Sequence, residues 1–540
     1  INTLSGNVNW MRSHETRLQS EVFGKYIDDV KPIIEPGNSD SASLDNAFEI
    51  LVRSGRSAPM VKCLMIPDAW SQKPTMSQEL RDFYSFCNCV MEPWDGPAAI
   101  TATDGRWVLG GVDRNGLRPM RYTVTVDGLL VMGSETGMVP IRETEIIEKG
   151  RLGPGQMIAV DLKEGKLYHD KELKNSLAHS QPYGEWVADI TPIEKIGVTK
   201  ESATPEYEMG TLRRRQVAAG YTLEELELLL QPMVEDGKEA VGSMGDDTPL
   251  AVLSEEYRGL HHFFRQSFSQ VTNPPIDSLR EYGVMSLKTR LGNRGNILDE
   301  NGSATNLLQL NSPVLLIAEF AAMSDYMGQT AVELDCTFRP QKGDHALRRA
   351  IYKIQRIAED AVRGGATHLI LSDHKVNANR AAIPMILATG AVHSHLVDQA
   401  LRTYTSINVR CAECLDTHYF AVLLGVGATT INPYLAQETI RDRHRRNLFG
   451  DLSLGDCLNQ YRNAVDQGLL KIMSKMGISI LSSYRGAYKF EAVGLSRWLI
   501  SSYFPGMTSR ISGIGLTGLQ RKIGELHARA YSHDSIALPV

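Results

Sequence analysis

The sequence predicts two architectures in one chain: an α+β region of antiparallel sheets with helices, followed by an α/β region around a mostly parallel sheet. Three observations carry that prediction. Two Asp-Gly dipeptides, Asp104-Gly105 and Asp127-Gly128, each separate β-forming runs in the manner of tight hairpins. Beyond Gly364-Gly365, short apolar runs alternate with stretches of helical length, the pattern of parallel strands joined by helices. At 540 residues the chain is also too long for a single core, and units of ~150 residues give about three or four.

In chain order, the first clear element is a helix over residues 43–53, where Leu44, Ala47, Phe48 and Leu51 fall at i, i+3, i+4 and i+7. Gly37-Asn38-Ser39-Asp40-Ser41 precedes it with several residues able to cap, so Asp40 reads as a cap or a first-turn charge. Residues 97–104, 107–113, 121–127 and 129–135 read as consecutive antiparallel strands, a meander, because their connections are too short for crossover helices. Between the second and third runs lies Arg114-Asn115-Gly116-Leu117-Arg118-Pro119, a loop with two guanidinium groups. From spacing alone, a solvated turn whose arginines pair with nearby acids accounts for it. Gly153-Pro154-Gly155-Gln156 and residues 163–166 are turns on either side of a strand over 157–161. A shift in composition across residues 191–205 marks the first domain boundary.

The second region opens with Thr222 and Glu225 at capping-box spacing, leading a leucine-rich turn through Leu230 that ends at Gln231-Pro232. Residues 367–372 and 406–409 read as short apolar runs, and 383–397, 418–424 and 434–446 as helices, with 429–432 between the last two. No repeat, charge block or low-complexity tract interrupts the chain.

Composition excludes several classes. With 42% hydrophobic and 22% charged residues and a net charge of -6, the chain has no bulk attraction to nucleic acid or anionic lipid. No apolar run is long enough to span a bilayer and no basic segment followed by an apolar core opens the chain, so a cytoplasmic protein is expected. The seven cysteines are odd in number and scattered, which predicts reduced thiols rather than a disulfide framework. Ile1 lies in a continuing pattern without an initiator Met, so a fragment is expected.

Several motifs carry little weight. Cys411-Ala-Glu-Cys414 is a C-x-x-C with no second Cys/His pair at zinc spacing. Gly513-Ile-Gly515-Leu-Thr-Gly518 satisfies G-x-G-x-x-G, but only a weak strand over 508–512 precedes it and no acidic ribose partner follows, so no nicotinamide binding is expected. Gly425-Val-Gly427 reads as a helix C-cap. His393 and His395, at i and i+2 on a helix, point apart and read as surface or core histidines. Asp246-Asp247-Thr248 has the acids of a phosphoribosyl-diphosphate signature without its preceding strand or following Gly-Thr turn.

The segments "MEPWDGPAAI", "DGRW", "GVDRNGLRPMRY" and "GSETGMV" closely resemble the large-subunit family of bacterial glutamate synthases. The resemblance continues through "RLGPGQMIAVD", "QPMVEDGKEA", "GSMGDDTPLAVLS", "HHFFRQSFSQVTNPPIDSLRE", "GATHLILSD", "HYFAVLLGVGATTIN" and "GLLKIMSKMGIS", covering essentially the whole chain. It implies that residues 1–189 are the C-terminal part of a class II glutamine amidotransferase domain with an N-terminal-nucleophile hydrolase fold. Residues 190–215 are then a linker, 216–485 the central domain, and 486–540 its end and the approach to an FMN-binding domain. In that family glutamine is hydrolysed, ammonia travels through a tunnel, and 2-oxoglutarate is aminated and reduced on FMN. Electrons arrive through an iron-sulfur cluster from NADPH and FAD on a small subunit, or from ferredoxin in relatives, and the enzyme is expected to be oligomeric.

By the same resemblance, the catalytic N-terminal cysteine and the oxyanion-hole Asn-Gly lie upstream of Ile1, and the FMN and cluster ligands beyond Val540. The chain alone is therefore expected to bind no cofactor or metal and to lack glutaminase activity. Asp40 corresponds to the carboxylate that receives the α-ammonium of glutamine. Met244, Thr272 and Asn273 match positions that resemble the lining of the ammonia tunnel. Arg118 lies beside the glutaminase pocket, where a structural arginine is the simplest reading. A non-catalytic scaffold, or another class II amidotransferase such as the phosphoribosyl one, are the alternatives.

Overall fold

The structure is a computed structural model. It describes residues 8–35, 37–70, 73–202, 204, 206–240, 249–257, 259–268, 274–532 and 537–539. The first region begins with helices α1 (Val8–Glu15), α2 (Asp40–Arg53), α3 (Ala58–Met65) and α4 (Gln78–Val90). Ser39 caps α2 by accepting from the Ala42 amide at 3.2 Å, and the apolar stripe buries Leu44, Ala47, Ile50 and Leu51. Phe83 and Phe86 of α4 meet Tyr183 at ring separations of 5.1 and 5.0 Å, anchoring this core.

Both Asp-Gly hairpins form: β1 (Ala99–Thr103) pairs antiparallel with β2 (Trp107–Val112), and β3 (Arg121–Thr125) with β4 (Leu130–Gly133). The single meander does not. β3 takes its other neighbour from β5 (Ile146–Arg151), whereas β2 turns to β6 (Met157–Asp161), which pairs with β7 (Lys166–Tyr168). The four runs thus divide between two sheets, ordered β1-β2-β6-β7 and β4-β3-β5. The reason is burial: β2 ends in four buried residues, with Leu109 and Gly111 toward the helical core and Gly110 toward Met120 and, in the other sheet, Met132, so β2 is covered on both faces while β4 and β5 stay half-exposed. Helices α5 (Asp170–Ala178) and α6 (Tyr183–Val187) close the region, and β8 (Thr191–Pro192) leaves it.

The second region starts with α7 (Met209–Ala218). Thr222 and Glu225 form the reciprocal capping box, the Thr222 amide donating to Glu225 at 2.9 Å and the Glu225 amide to the Thr222 hydroxyl at 3.1 Å. The helix does not stop at Gln231-Pro232. A π-helical stretch, Glu225–Leu230, runs into α8 (Gln231–Glu235), whose first turn holds Pro232, where an N–H is dispensable. Then follow β9 (Phe264–Gln266), α9 (Ser278–Val284), and the antiparallel pair β10 (Thr289–Leu291) and β11 (Leu308–Leu310), with β8 joining β11 in parallel. The 190–215 segment carries β8 and most of α7, and Ile297, Leu298, Ala304 and Leu307 pack into the first region's core.

After α10 (Ile317–Met327) the strand-helix alternation appears as expected: β12 (Ala331–Asp335), the short β13 (Thr337–Phe338), α11 (Ala346–Arg363), β14 (His368–Ser372), β15 (Ala381–Ala382), α12 (Met385–Asp398), β16 (Ser406–Arg410), α13 (Thr417–Gly425), β17 (Thr430–Asn432) and α14 (Tyr434–Arg445). The sheet β12-β14-β16-β17 is parallel throughout. β14 is buried at all five positions, which is why it reads as an unbroken apolar run. The chain ends with α15 (Leu454–Lys475), α16 (Leu481–Tyr484), β18 (Phe490–Leu495), α17 (Arg497–Tyr503), β19 (Thr508–Ile514) and α18 (Leu516–Tyr531).

Candidate functional site

The corner after β2 is organised by Asp113. Its buried carboxylate accepts from the backbone amides of Ala98, Asn115, Leu117 and Arg118 at 3.0 to 3.2 Å. Gly116 makes the turn possible: its φ is +63°, and a Cβ there would lie 2.9 Å from the Pro154 ring. With the loop's donors satisfied internally, the corner can be buried. Arg118 remains exposed, but Arg114 turns inward, 3% exposed, and donates to Ser479 Oγ at 2.9 Å and the Asp68 carbonyl at 3.5 Å. The expected solvated turn is thereby corrected for Arg114, whose main partner lies 365 positions away.

Beneath the corner, two buried lysines converge on one carbonyl. Lys62 and Lys174 donate to the Gly155 oxygen at 2.8 and 3.1 Å, and Lys174 also reaches Asp68 at 3.3 Å and Asp170 at 2.8 Å. Burial, with Lys174 alongside, lowers Lys62 to about 8. Burial raises the Asp68 carboxyl, but Lys174, Lys73 and Lys62 outweigh it and hold it below its ordinary value.

The same face meets the second region along a polar seam. Asp95 Oδ2 accepts from the Ser479 amide at 3.1 Å and its hydroxyl at 2.6 Å, with the Arg114 guanidinium 4.0 Å from Oδ1. Glu92 is held between His14 at 3.0 Å and Arg294 at 2.9 Å. Burial would raise Glu92, yet Arg294 and His14 bring it down to about 2. Ser483 donates to the Pro93 carbonyl at 2.8 Å. Trp10 of α1 stacks on His393 with centroids 6.4 Å apart, under the Arg402 guanidinium at 4.8 Å. Arg402 donates through Nε to His393 Nδ1 at 2.8 Å, which places any ring proton on Nε2, and burial together with Arg402 keeps the imidazole neutral. His395 points elsewhere, to Glu359 at 2.9 Å, as i, i+2 spacing requires.

Asp40 is the first residue of α2, half-buried, with Ser39 rather than Asp40 as the cap. Its carboxylate makes no hydrogen bond or ion pair among the described residues, which leaves it available at the positive end of a fourteen-residue helix. Met244, Thr272 and Asn273 lie outside the described residues, as does Asp246-Asp247-Thr248. Cys411 and Cys414 follow β16 fully buried, and all seven thiols are buried and unbridged. Among the described residues no three His, Cys, Asp or Glu side chains converge as a metal site.

The G-x-G-x-x-G stretch has more of a strand ahead of it than its sequence indicated: β19 runs to Ile514 and α18 begins at Leu516. Two of its glycines serve packing. A Cβ on Gly513 would fall 2.2 Å from the Gly494 carbonyl oxygen of the adjacent β18, and one on Gly518 2.5 Å from the Ile514 side chain.

The first region, with its helices over two antiparallel sheets, matches the family model of class-II glutamine amidotransferases over residues 1–186, and residues 214–496 match that of the glutamate synthase central domain. A glutamine amidotransferase domain joined to this central domain defines the class. The chain belongs to the glutamate synthase family. It is 62% identical over 542 residues to the glutamate synthase (NADPH) large chain of Azospirillum brasilense, covering 100% of this chain and 36% of that one. It is 41% identical to the corresponding large chain of Bacillus subtilis, covering 99% and 35%, and 41% identical to the chloroplastic ferredoxin-dependent glutamate synthase of Spinacia oleracea, covering 99% and 34%. The chain spans about a third of the length of these curated relatives.

Proposed function

We propose that this chain is the amidotransferase-to-central segment of a glutamate synthase large chain, within an enzyme that hydrolyses glutamine, carries the ammonia internally, and uses it to convert 2-oxoglutarate to glutamate. The observation that carries the reading is the succession of two family matches along one chain, with a relative 62% identical across its full length. On this reading residues 1–189 belong to an N-terminal-nucleophile hydrolase fold, 190–215 link it to a central domain over 216–485, and 486–540 lead toward the FMN-binding domain. NADPH is the favoured electron source, because the relative at 62% is an NADPH enzyme while the ferredoxin-dependent one stands at 41%. A small subunit, a cytoplasmic location and an oligomeric assembly belong to the same proposal. FMN and an iron-sulfur cluster would supply the electron transfer. Among the described residues the cysteines are buried and do not converge, so they do not fit a cluster.

Within this scheme Asp40 receives the α-ammonium of glutamine. Its available carboxylate and its place at a helix start are consistent with a charge-assisted contact. Asp40→Ala in the full-length large chain should weaken glutamine binding by roughly 1.5–3 kcal/mol, seen as a raised KM for glutamine. An unchanged KM in a folded variant would reject the role.

A further inference from the structure

A small cavity of about 40 Å³ opens on the seam, and its lining is dominated by positive charge. Arg114 enters from the first region, and Lys288, Arg290, Arg294 and Arg485 from the second. Among the described residues no carboxylate lines it; those acting on these cations are Glu92, paired with Arg294 and His14, Asp95, bonded to Ser479 and 4.0 Å from Arg114, and Glu194, whose charge acts on Lys288. Among the described residues Arg290 uses neutral acceptors, the Ser85 carbonyl at 2.9 Å, its hydroxyl at 2.8 Å and Gln309 at 3.1 Å. The Lys288 ammonium, 5.5 Å above the Trp70 ring, makes no hydrogen bond or ion pair among the described residues, while the Lys288 backbone amide donates to Ser286 Oγ at 3.1 Å.

Two of the five cations face a carboxylate, Arg294 that of Glu92 and Arg114 that of Asp95, yet five positive groups gathered in a partly buried space still repel one another and favour an entering anion. The acidities report the same imbalance. Burial, then Arg290, lowers Lys288; burial, then Arg294, lowers Arg485 to about 10. Guanidinium forks match paired oxyanion oxygens, and Asn88 and Ser286 add polar groups to the wall of a space small enough to suit a compact anion.

We propose that this cavity binds a small dianion whose charge is carried on carboxylate or phosphate oxygens, and that the ligand ties the two regions together. The proposal goes beyond the reading of the chain as a glutamate synthase segment and does not rest on it. It is tested on the chain itself by titration calorimetry and thermal unfolding with inorganic phosphate and with succinate, against chloride at matched ionic strength. Saturable heat and a raised Tm with either dianion support the site, and which of the two acts identifies the source. Lys288→Gln should weaken that binding by at least about tenfold and Lys288→Glu should abolish it, both without loss of fold, because the ammonium makes no hydrogen bond or ion pair among the described residues and the backbone bond to Ser286 is kept. No saturable response to either dianion, or binding unchanged in both Lys288 variants, would overturn the proposal.

Discussion

Asp95 and Ser479, 384 positions apart, share two hydrogen bonds, the serine giving both its amide and its hydroxyl to one carboxylate oxygen. Arg114 donates to that same hydroxyl, so Ser479 stands between an acid and a base of the first region while belonging to the second. Ser479→Ala keeps the amide bond but removes the hydroxyl from both partners. The expected loss is about 1.5–3 kcal/mol, the scale of hydrogen bonds to charged groups, read from the denaturation midpoint. A midpoint equal to that of the parent chain would show that the seam does not depend on this contact.

Asp113 should matter through its lone pairs. Asp113→Ala leaves four corner amides without their acceptor and should cost at least about 3 kcal/mol. Asp113→Asn keeps the volume but presents a donor where acceptors are needed, so it should be nearly as damaging. A mild Asn variant beside a severe Ala variant would shift the explanation to packing.

Glu92 predicts acid sensitivity. Its folded value of about 2 lies below the ordinary 4.5, so its contribution is fully present above about pH 4.5 and is lost as pH falls toward about 2. Glu92→Gln should be less stable at neutral pH and should show a shallower decline through that window. Parallel stability curves for the two proteins would contradict the pairing with His14 and Arg294.

Asp466 predicts the opposite slope. Burial raises it to about 7 although Ser312 donates to it at 2.6 Å. The native state thus holds a proton that the unfolded chain has released, and stability is highest below the ordinary 3.8 and declines as pH rises through about 7. Asp466→Asn, which still accepts from Ser312, should match the parent near pH 4 and exceed it in Tm above about pH 7. A Tm difference independent of pH would remove titration as the cause.

On the proposed function, Thr272→Val, Asn273→Ala and Met244→Ala in the full-length enzyme should leak ammonia while leaving glutamine and 2-oxoglutarate binding little changed. The valine keeps the threonine's volume and loses only its hydroxyl. One 2-oxoglutarate aminated per glutamine hydrolysed in all three variants would end the tunnel assignment.

What the sequence made legible was local. Asp104-Gly105 and Asp127-Gly128 specify their hairpins, Thr222 and Glu225 their cap, and the buried run of β14 its parallel neighbours, because each signal spans a few residues or one strand. The choice of sheet was not legible: alternation along β2 does not say that β6 rather than β3 will lie beside it. Asp113 left a trace, since Asp-x-x-Gly is the frame of a type I turn and the Gly116 amide does donate to the Asp113 carbonyl at 3.0 Å. Its further role as collector of four amides, one from Ala98, depends on the folded-back strand. Arg114 with Ser479, and Glu92 with Arg294, join residues with no common pattern in the chain.

The seam described above is fastened at Glu92, Asp95 and Arg114 by short directional bonds, beside the apolar packing of Ile297, Leu298, Ala304 and Leu307 into the first core. An apolar joint can slide, because its attraction changes little when one surface creeps over another. Hydrogen bonds and ion pairs forfeit most of their strength with an ångström of displacement or a modest tilt. A joint of this kind has detents: it is fully engaged or released, with few intermediate settings. The strands around Asp113 and the segment around Ser479 therefore keep a common registration for as long as those few bonds hold.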